Sequence, residues 1–231
     1  NGMQFVNAQG ETLLIRGGTS ALGMHGCANN YYFHQPQLEA VLRAGLRRFS
    51  NVTLLTESTV TSVQQDSQSV TLQIADQRAE GIGAGVGTPY ELQADYVIGC
   101  DGARSIVRKA IGSTQQDLGL HQEWLVFDVI LNHELAHLPN HTVQHCDPVR
   151  PMTYCYVTGL RRRWEIMLMP GDNSQQLTQE NQLWELISPW LRPDQARIER
   201  AVIYTFHSVI AQTWRQQRLL IAGDSAHQMP P

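Results

Sequence analysis

The sequence lacks the features that would assign this protein to a membrane, nucleic-acid-binding or disordered class. No uninterrupted apolar run approaches the roughly 20 residues that a membrane-spanning helix needs. Charged residues make up 16% of the 231 residues and the net charge is −4, so nothing favours binding to nucleic acid or to an anionic membrane surface. The hydrophobic content of 42% is typical of a folded chain, and the length allows one large or two modest domains.

Cysteine is also scarce. The four cysteines are Cys27, Cys100, Cys146 and Cys155, and no two of them have Cys-x-x-Cys spacing. This excludes a disulfide-dense scaffold and favours a cytoplasmic enzyme with free thiols. We expect Cys100 to be buried because it closes a short apolar run.

A dinucleotide-binding fingerprint is missing too. The only glycine-rich run, residues 81–87, is followed by Thr88-Pro89-Tyr90, which leads back into a strand. The fingerprint requires a strand directly before the glycines and a helix directly after them. We interpret this run as a hairpin connection.

Two strand-and-turn patterns stand out among the features that are present. In the first, the apolar run Tyr96–Gly99 is broken by Asp101-Gly102, and Ser105–Ile111 has helical spacing ending in Gly112, a residue that often terminates helices. In the second, residues 218–222 form another apolar run that ends in Gly223-Asp224. A strand, a tight turn and a helix place backbone N–H groups and a carboxylate beside a phosphate- or sugar-bearing ligand. Either dipeptide alone is typical of a plain turn; the two together indicate a ligand site.

These patterns carry a resemblance to a known family. Residues 100–108 (CDGARSIVR) resemble the Asp-Gly motif of the FAD-dependent aromatic hydroxylases, the single-component flavoprotein monooxygenases, and residues 223–231 (GDSAHQMPP) resemble their Gly-Asp motif. Residues 35–42 (QPQLEAVL) are similar to the family's glutamine at the start of a helix beside the flavin. Within the family, residues 146–151 (CDPVRP) and 167–171 (MLMPG) resemble the 3-(3-hydroxyphenyl)propionate hydroxylases.

The resemblance implies a fold of the α+β or α/β class: a partial FAD-binding domain of the 4-hydroxybenzoate-hydroxylase-like fold with an inserted, mostly antiparallel substrate-domain sheet. It divides the chain into a substrate-domain hairpin and loop (1–34), part of the FAD-binding domain (35–116), the substrate-binding domain (117–216), and the return strand with the Gly-Asp motif (217–231). The family opens with a Gly-x-Gly-x-x-Gly segment that this chain lacks. We therefore expect an internal piece of a longer enzyme.

The residue patterns predict the individual elements. Hairpin strands are expected at 3–6 and 12–15, a helix at 36–49, strands at 52–55, 60–63 and 70–74, antiparallel strands at 124–131, 142–146, 152–157 and 164–169, a helix at 177–191 that is interrupted near Pro189, and a strand at 197–207. In the first helix, Leu38, Val41 and Leu42 lie on one apolar stripe.

The resemblance also implies the cofactors, FAD and NAD(P)H, and a set of cofactor-binding residues. These are Gln35, Asp101, Gly102, Arg108, Gly223, Asp224, Ala226 and Pro230. Structural alternatives stay open for three of them. Asp224 or Gln35 could serve as a helix N-cap, and Arg108 could be an exposed helical arginine.

Candidate substrate contacts are Arg150, Arg163 and Glu165, with a salt-bridged strand edge as the alternative. We identify no catalytic acid or base, and we interpret His227 as a packing residue. His133, His137 and His141 are regularly spaced, but Pro139 argues against the helix that would align them, so we predict no metal site.

The predicted function is hydroxylation of a phenolic acid such as 3-(3-hydroxyphenyl)propionate with NAD(P)H and O2. The alternatives are a related flavin monooxygenase with a different substrate or, for an isolated fragment, a flavin-free inactive domain. We expect no nucleic-acid or membrane partner, and the sequence leaves homo-oligomerisation open.

Overall fold

The computed structural model describes residues 2–17, 22–28, 31–76 and 89–229. The strands are β1 (Gly2–Val6), β2 (Thr12–Gly17), β3 (Ser58–Gln65), β4 (Val70–Asp76), β5 (Tyr90–Ala94), β6 (Val97–Gly99), β7 (Gln115–Leu131), β8 (Thr142–His145), β9 (Met152–Tyr156), β10 (Arg161–Met167), β11 (Ala196–Ala211), β12 (Arg215–Gln216), β13 (Leu219–Ile221) and β14 (His227–Gln228). The helices are α1 (Gln35–Leu46), α2 (Ile106–Ile111), α3 (Ser174–Leu177) and α4 (Glu180–Ile187), with a 3₁₀ turn at Gly223–Ser225. Among the described residues, no helix is both long and apolar enough to cross a membrane.

The chain forms two compact units. Unit 1 contains residues 1–48 and 122–205, and unit 2 contains residues 49–121 and 206–231. Compactness does not test which segment binds a cofactor or a substrate, so the four-segment domain division stays a prediction.

Unit 1 is built on one sheet with the strand order β11-β7-β10-β9-β8-β1-β2. The neighbours β7–β10, β10–β9, β9–β8 and β1–β2 are antiparallel, whereas β1 and β8 are parallel. One face is apolar: the Trp164 ring stacks on Phe127 with centroids 6.1 Å apart and meets the edge of Tyr154. Leu183 and Ile187 of α4 pack in the same cluster. The mostly antiparallel inserted sheet of the predicted fold class is confirmed.

Unit 2 holds the two turns singled out above. Strands β3, β4 and β5 form an antiparallel sheet, and a second sheet has the order β12-β13-β6. Helix α2 packs Val107 and Ile111 against Leu219 and Ile221 of β13. The Ser105 hydroxyl accepts a hydrogen bond from the Arg108 N–H and caps the helix. Gly112 ends the helix at φ 72°, as the sequence predicted.

Three expectations about elements are wrong. Residues 52–55 form no strand; they pair with no described strand, and Leu54 is 52% exposed. The helix predicted at 177–191 has the wrong bounds, because α3 ends at Leu177 and α4 covers only Glu180–Ile187. Its predicted interruption near Pro189 is confirmed, since proline cannot continue a helical hydrogen-bond ladder. Cys100 is exposed because successive residues alternate between faces, and it follows the buried Gly99.

Helix α1 begins and ends close to the predicted bounds, but no residue in it is buried. Its apolar stripe is exposed among the described residues, with Val41 69% and Leu42 61% accessible. The glycine-rich run at 81–87, interpreted as a hairpin connection, lies outside the described residues.

Candidate cofactor and substrate sites

The two aspartate turns of unit 2 follow neighbouring parallel strands. In the register of β6 and β13, Val97 is opposite Leu219 and Gly99 is opposite Ile221. The carboxyl ends of the two strands therefore meet at one edge of the sheet, and Asp101 comes shortly after one strand as Asp224 does after the other. In open sheets with parallel strands, this edge is where ligands bind.

Asp101 is committed to bonds within the protein. One carboxylate oxygen accepts the N–H of Ile106 at 2.7 Å, at the start of α2, and the other accepts the Ser225 hydroxyl at 3.0 Å. Burial favours the protonated form, but the hydrogen bonds from Ser105, Ser225 and Ile106 outweigh it and hold the pKa of this carboxyl below its usual range. Asp101 thus joins the two turns.

Arg108 joins the same two turns from the other side. Its side chain is only 6% exposed, so the interpretation as an exposed helical arginine is wrong. One terminal nitrogen donates to the Ser225 carbonyl at 2.9 Å and the other to the Ala103 carbonyl at 2.6 Å. A guanidinium held by two carbonyls positions the turn backbones, because its donors are directed into the protein.

The remaining residues of the Gly-Asp motif differ in their exposure to solvent. Asp224 is exposed and Ala226 is fully buried. Asp224 lies inside the 3₁₀ turn, whose N-cap is Ala222, so the N-cap interpretation of Asp224 is wrong. His227 stacks on the ring of Trp214 with centroids 5.8 Å apart. Pro230 lies outside the described residues.

Glycine gives this edge its open surface. Gly102 has φ 76° and Gly223 has φ 62°, and a Cβ built on either residue would meet no atom within 4 Å. Both turns therefore present bare backbone, and Asp224, which directly follows Gly223, is exposed. A carboxylate accepts hydrogen bonds from hydroxyls. The residues present fit the sugar-like polyol portion of FAD.

Gln35 belongs to unit 1. It is the first residue of α1, and its amide nitrogen donates to the Glu39 carboxylate at 3.0 Å. The N-cap interpretation of Gln35 is wrong, because His34 holds that position.

Unit 1 contains a cavity of about 800 Å³ that includes Gln35 in its wall. Five aromatic side chains line it: Tyr31, Tyr32, Phe33, Tyr156 and Tyr204. Tyr32 meets Tyr156 edge to face at 5.7 Å and shares a hydrogen bond with Thr142 at 3.0 Å. The cavity is of the size and composition that suit a small aromatic ligand.

Charged side chains of the sheet form one wall of this cavity. The Nε of Arg163 donates to one oxygen of Asp128 at 2.7 Å, and the Nε of Arg200 donates to the other at 2.6 Å. Burial opposes ionisation of Asp128, yet the hydrogen bonds from Arg163 and Arg200 prevail and lower the pKa of its carboxyl. Three arginines line the cavity together with three carboxylates, so the charges of its lining balance.

The three predicted substrate residues do not lie together. Arg163 lines the large cavity, and Glu165 lies beside it on β10, with an oxygen 3.7 Å from an Arg163 nitrogen. Burial raises the pKa of the Glu165 carboxyl, and Arg163 offsets this only in part. Arg150 lines a different cavity of about 380 Å³ and makes two hydrogen bonds to Asp172, at 2.7 and 3.1 Å.

Sequence reasoning missed Asp128, Arg200 and His34 as cavity residues. Asp128 carried a usable signal, because it is a lone charge within the apolar run 125–131, and such a charge needs a partner when buried. The partners come from other strands, at positions set by sheet register, and no local pattern indicates them. The three spaced histidines at 133, 137 and 141 lie in non-helical segments, and the described residues contain no metal-type cluster of three or more His, Cys, Asp or Glu side chains.

Comparisons with known proteins show the family of the chain. Residues 7–231 match the family model described as FAD binding domain. The chain is 34% identical over 210 residues to a probable NADH-specific resorcinol 4-hydroxylase of Rhodococcus jostii (strain RHA1), covering 90% of this chain and 38% of that protein. It is 38% identical over 200 residues to a 3-(3-hydroxy-phenyl)propionate/3-hydroxycinnamic acid hydroxylase of Mycobacterium avium (strain 104), and the match covers 86% of this chain and 34% of that protein.

Solved structures show the same fold. The crystal structure of p-nitrophenol 4-monooxygenase from Pseudomonas putida DLL-E4 superposes with a TM-score of 0.79 at 23% identity, over 100% of this chain and 56% of that one. Aklavinone-11 hydroxylase, solved with FAD and aklavinone, superposes with a TM-score of 0.78 at 20% identity, over 100% of this chain and 44% of that one. The chain spans little more than a third of the length of the curated relatives described above. With the match over nearly its whole length, it belongs to the FAD binding domain family of the FAD-dependent aromatic hydroxylases.

Proposed function

We propose that this chain is a segment of a flavin-dependent monooxygenase that hydroxylates a phenolic acid such as 3-(3-hydroxyphenyl)propionate with NAD(P)H and O2. The observation that carries the proposal is the pair of aspartate turns at the carboxyl edge of β6 and β13, joined through Ser225. FAD, when bound beside these turns, would supply the redox chemistry between the nicotinamide and O2.

In this proposal the cofactor residues have two roles. Asp224 accepts hydrogen bonds from the polyol hydroxyls, and Gly102 and Gly223 keep the backbone accessible to the cofactor. Asp101 and Arg108 position the turns from within the protein, where their hydrogen bonds are already made. Ala226 is buried behind the turn, and Gln35 and Pro230 are included on the family resemblance.

The large cavity of unit 1 is the proposed substrate site. Its aromatic side chains would sandwich a phenol ring and keep water from it. In this proposal the guanidinium groups of Arg163 and Arg200, which lie in its wall beside Asp128, bind the carboxylate of the phenolic acid. Arg150 is fully engaged by Asp172, which favours the salt-bridge interpretation for that residue.

A resorcinol hydroxylase is the second candidate. The Rhodococcus jostii relative, 34% identical, is named as a probable NADH-specific resorcinol 4-hydroxylase, and resorcinol is an uncharged diphenol. The name also favours NADH as the reductant. Comparing NADH oxidation in the presence of 3-(3-hydroxyphenyl)propionate and of resorcinol separates the two candidate functions. Only the first compound carries a carboxylate that can pair with Arg163 and Arg200.

The first experiment is a titration of the protein with FAD, followed by flavin fluorescence and the visible spectrum. We expect saturable binding that the Asp224→Asn variant weakens by about tenfold or more, since a hydrogen bond to a charged group contributes roughly 1.5–3 kcal/mol. Asp95→Asn is the matched control, because Asp95 is an exposed aspartate of the same unit and should leave FAD binding unchanged. Equal affinity in wild type and Asp224→Asn would contradict the cofactor assignment, whereas a cooperative melt without FAD binding would favour the flavin-free alternative for the isolated segment.

A further inference from the structure

The second cavity of unit 1 is separate from the proposed substrate site. Its volume is about 380 Å³, at the small end of the roughly 300–1,000 Å³ of ligand pockets. Ile166 in its wall and Arg163 in the wall of the large cavity lie on the same strand, β10. Successive residues of a strand alternate between the two faces of the sheet. The two cavities therefore lie on opposite faces.

Much of the wall of this second cavity is apolar. Met152 and Ile166 belong to the core cluster of the unit, around Trp164. Leu186 and Trp190 pack against that cluster and line the cavity too. Walls of this composition suit the compact apolar body of a small molecule, aromatic or aliphatic.

The cavity also contains charge. The charged side chains among its described lining residues are Asp147 and Arg150. Arg150 donates to the two oxygens of Asp172 at 2.7 and 3.1 Å, so its positive charge is already balanced. One oxygen of the half-buried Asp147 accepts the Val149 N–H at 2.8 Å, which orients the carboxylate without neutralising it. Asp147 is therefore the excess negative charge of this cavity.

The imidazole of His145 does not neutralise Asp147. His145 lines the cavity and meets the edge of Trp190, with ring centroids 5.5 Å apart. Burial lowers the pKa of His145, and the charge of Asp147 offsets this only in part. Since an unperturbed histidine has a pKa of about 6.5, this imidazole is mostly neutral at pH 7. A partly buried carboxylate attracts a cation more strongly than one in water.

We propose that the second cavity binds a small organic ammonium ion, whose protonated amine donates to Asp147 and whose apolar body lies against Trp190 and Met152. An ammonium group offers N–H donors and no acceptor, which matches a carboxylate. An aromatic acid fits this cavity less well, because its own carboxylate would be repelled by Asp147. The site does not depend on the proposed hydroxylase function, and an amine can occupy it while a phenolic acid occupies the large cavity.

The test uses 2-phenylethylamine as the probe, because it joins a protonated amine to a phenyl ring, and 2-phenylethanol as an uncharged molecule of the same size. Isothermal titration calorimetry at pH 7 measures the binding of each to the protein. We expect the amine to bind about tenfold tighter than the alcohol or more, since hydrogen bonds between charged groups are stronger than neutral ones. Added salt should weaken the binding of the amine only.

Two variants locate the amine. In Asp147→Asn its affinity should fall by about tenfold or more, to that of the alcohol, while the asparagine oxygen can still accept the Val149 N–H. The matched control is Asp95→Asn, which changes an exposed aspartate of unit 2 and should bind the amine as wild type does. In Ala8→Phe, the larger side chain at an exposed turn residue of the cavity wall should exclude both probes.

Each other result has a distinct meaning. Equal affinity for amine and alcohol, unchanged amine affinity in Asp147→Asn, or no binding of the amine to wild type would overturn the proposal. Saturating 3-(3-hydroxyphenyl)propionate should leave the amine affinity unchanged; displacement of the amine would place it in the large cavity and refute this site. If that acid does not bind at all, the substrate assignment of the large cavity fails while the amine site stands. Should Asp147→Asn not fold, Ala8→Phe and the comparison of amine with alcohol give the decision.

Discussion

Asp101 and Asp224 occupy similar positions in two similar turns, yet their surroundings differ. The Asp101 carboxylate accepts hydrogen bonds from the Ile106 N–H and the Ser225 hydroxyl. Asp224 is exposed, and a Cβ built on Gly102 or Gly223 would meet no atom within 4 Å. Both residues matched family motifs equally well. The carboxylate that is free to bind a ligand could not be chosen from sequence, because Ser225 is brought to Asp101 from 124 residues away.

Glu165 gives a pH-dependent prediction at the same scale. Burial raises the pKa of its carboxyl above 4.5, despite the nearby Arg163. The unfolded chain therefore releases this proton first as pH rises, so ionised Glu165 lowers the stability of the folded state above the unfolded pKa. We expect Glu165→Gln to be more stable relative to wild type at pH 8 than at pH 4, measured by urea unfolding at both pH values.

The matched control is Glu91→Gln, since Glu91 is an exposed strand glutamate for which no such gain with pH is expected. A Glu165→Gln variant that loses stability as pH rises would show that the attraction to Arg163 dominates over burial.

At the scale of elements, β6 and α2 approach so closely that only glycine fits between them. A Cβ on Gly99 would lie 2.6 Å from the Cβ of Val107 and 2.9 Å from an Asp101 oxygen. Real side chains do not come this close, so either the helix or the turn would have to move. Gly99 therefore fixes the position of α2 and of the Asp101 turn.

We predict that Gly99→Ala destabilises the protein by about 1–3 kcal/mol, the usual range for overpacking, and weakens FAD binding. Urea unfolding and the FAD titration measure the two effects. Gly45→Ala is the control: Gly45 is helical, and a Cβ there meets only the Arg48 side-chain end at 3.7 Å, so stability should rise by roughly 0.5–1 kcal/mol. Wild-type stability in Gly99→Ala would mean that β6 and α2 can separate at no cost.

The elements that sequence predicted correctly are those with local signals. Helix α2 lies where the helical spacing of Ser105–Ile111 and the terminal Gly112 predicted it, although the capping role of Ser105 was not predicted. Residues 52–55 are as apolar as a strand but lack a pairing partner, which a local pattern cannot reveal. The cavity wall of Asp128, Arg163 and Arg200 depends on the register of β7, β10 and β11, so only Arg163 was anticipated.

At the scale of the whole molecule, each unit has its own apolar core, one around Trp164 and one around Val107 and Leu219. The proposed cofactor turns belong to unit 2. A ligand that binds only the folded protein stabilises it by about 2.7 kcal/mol at a concentration 100 times its Kd. That stabilisation should be strongest where the ligand makes its contacts.

We therefore predict that FAD raises the thermal midpoint and slows amide hydrogen exchange at residues 99–108 and 222–226. Hydrogen exchange with mass spectrometry, with and without FAD, measures this, and β3–β4 provides the internal reference. Asp224→Asn should show weaker protection at the same FAD concentration. Protection spread evenly over β3–β4 and the two turns would instead indicate a general tightening of unit 2.

The hydrogen bond from Arg108 to Ser225 joins positions 117 residues apart, and it closes a long loop of chain at its base. The entropy lost on closing a flexible loop grows only with the logarithm of its length, about 0.6 kcal/mol for each doubling. Residues inserted into or deleted from the enclosed segment therefore change the closure entropy very little. The chain between the two turns can therefore change in length at little entropic cost while the buried Arg108 guanidinium keeps the turns joined.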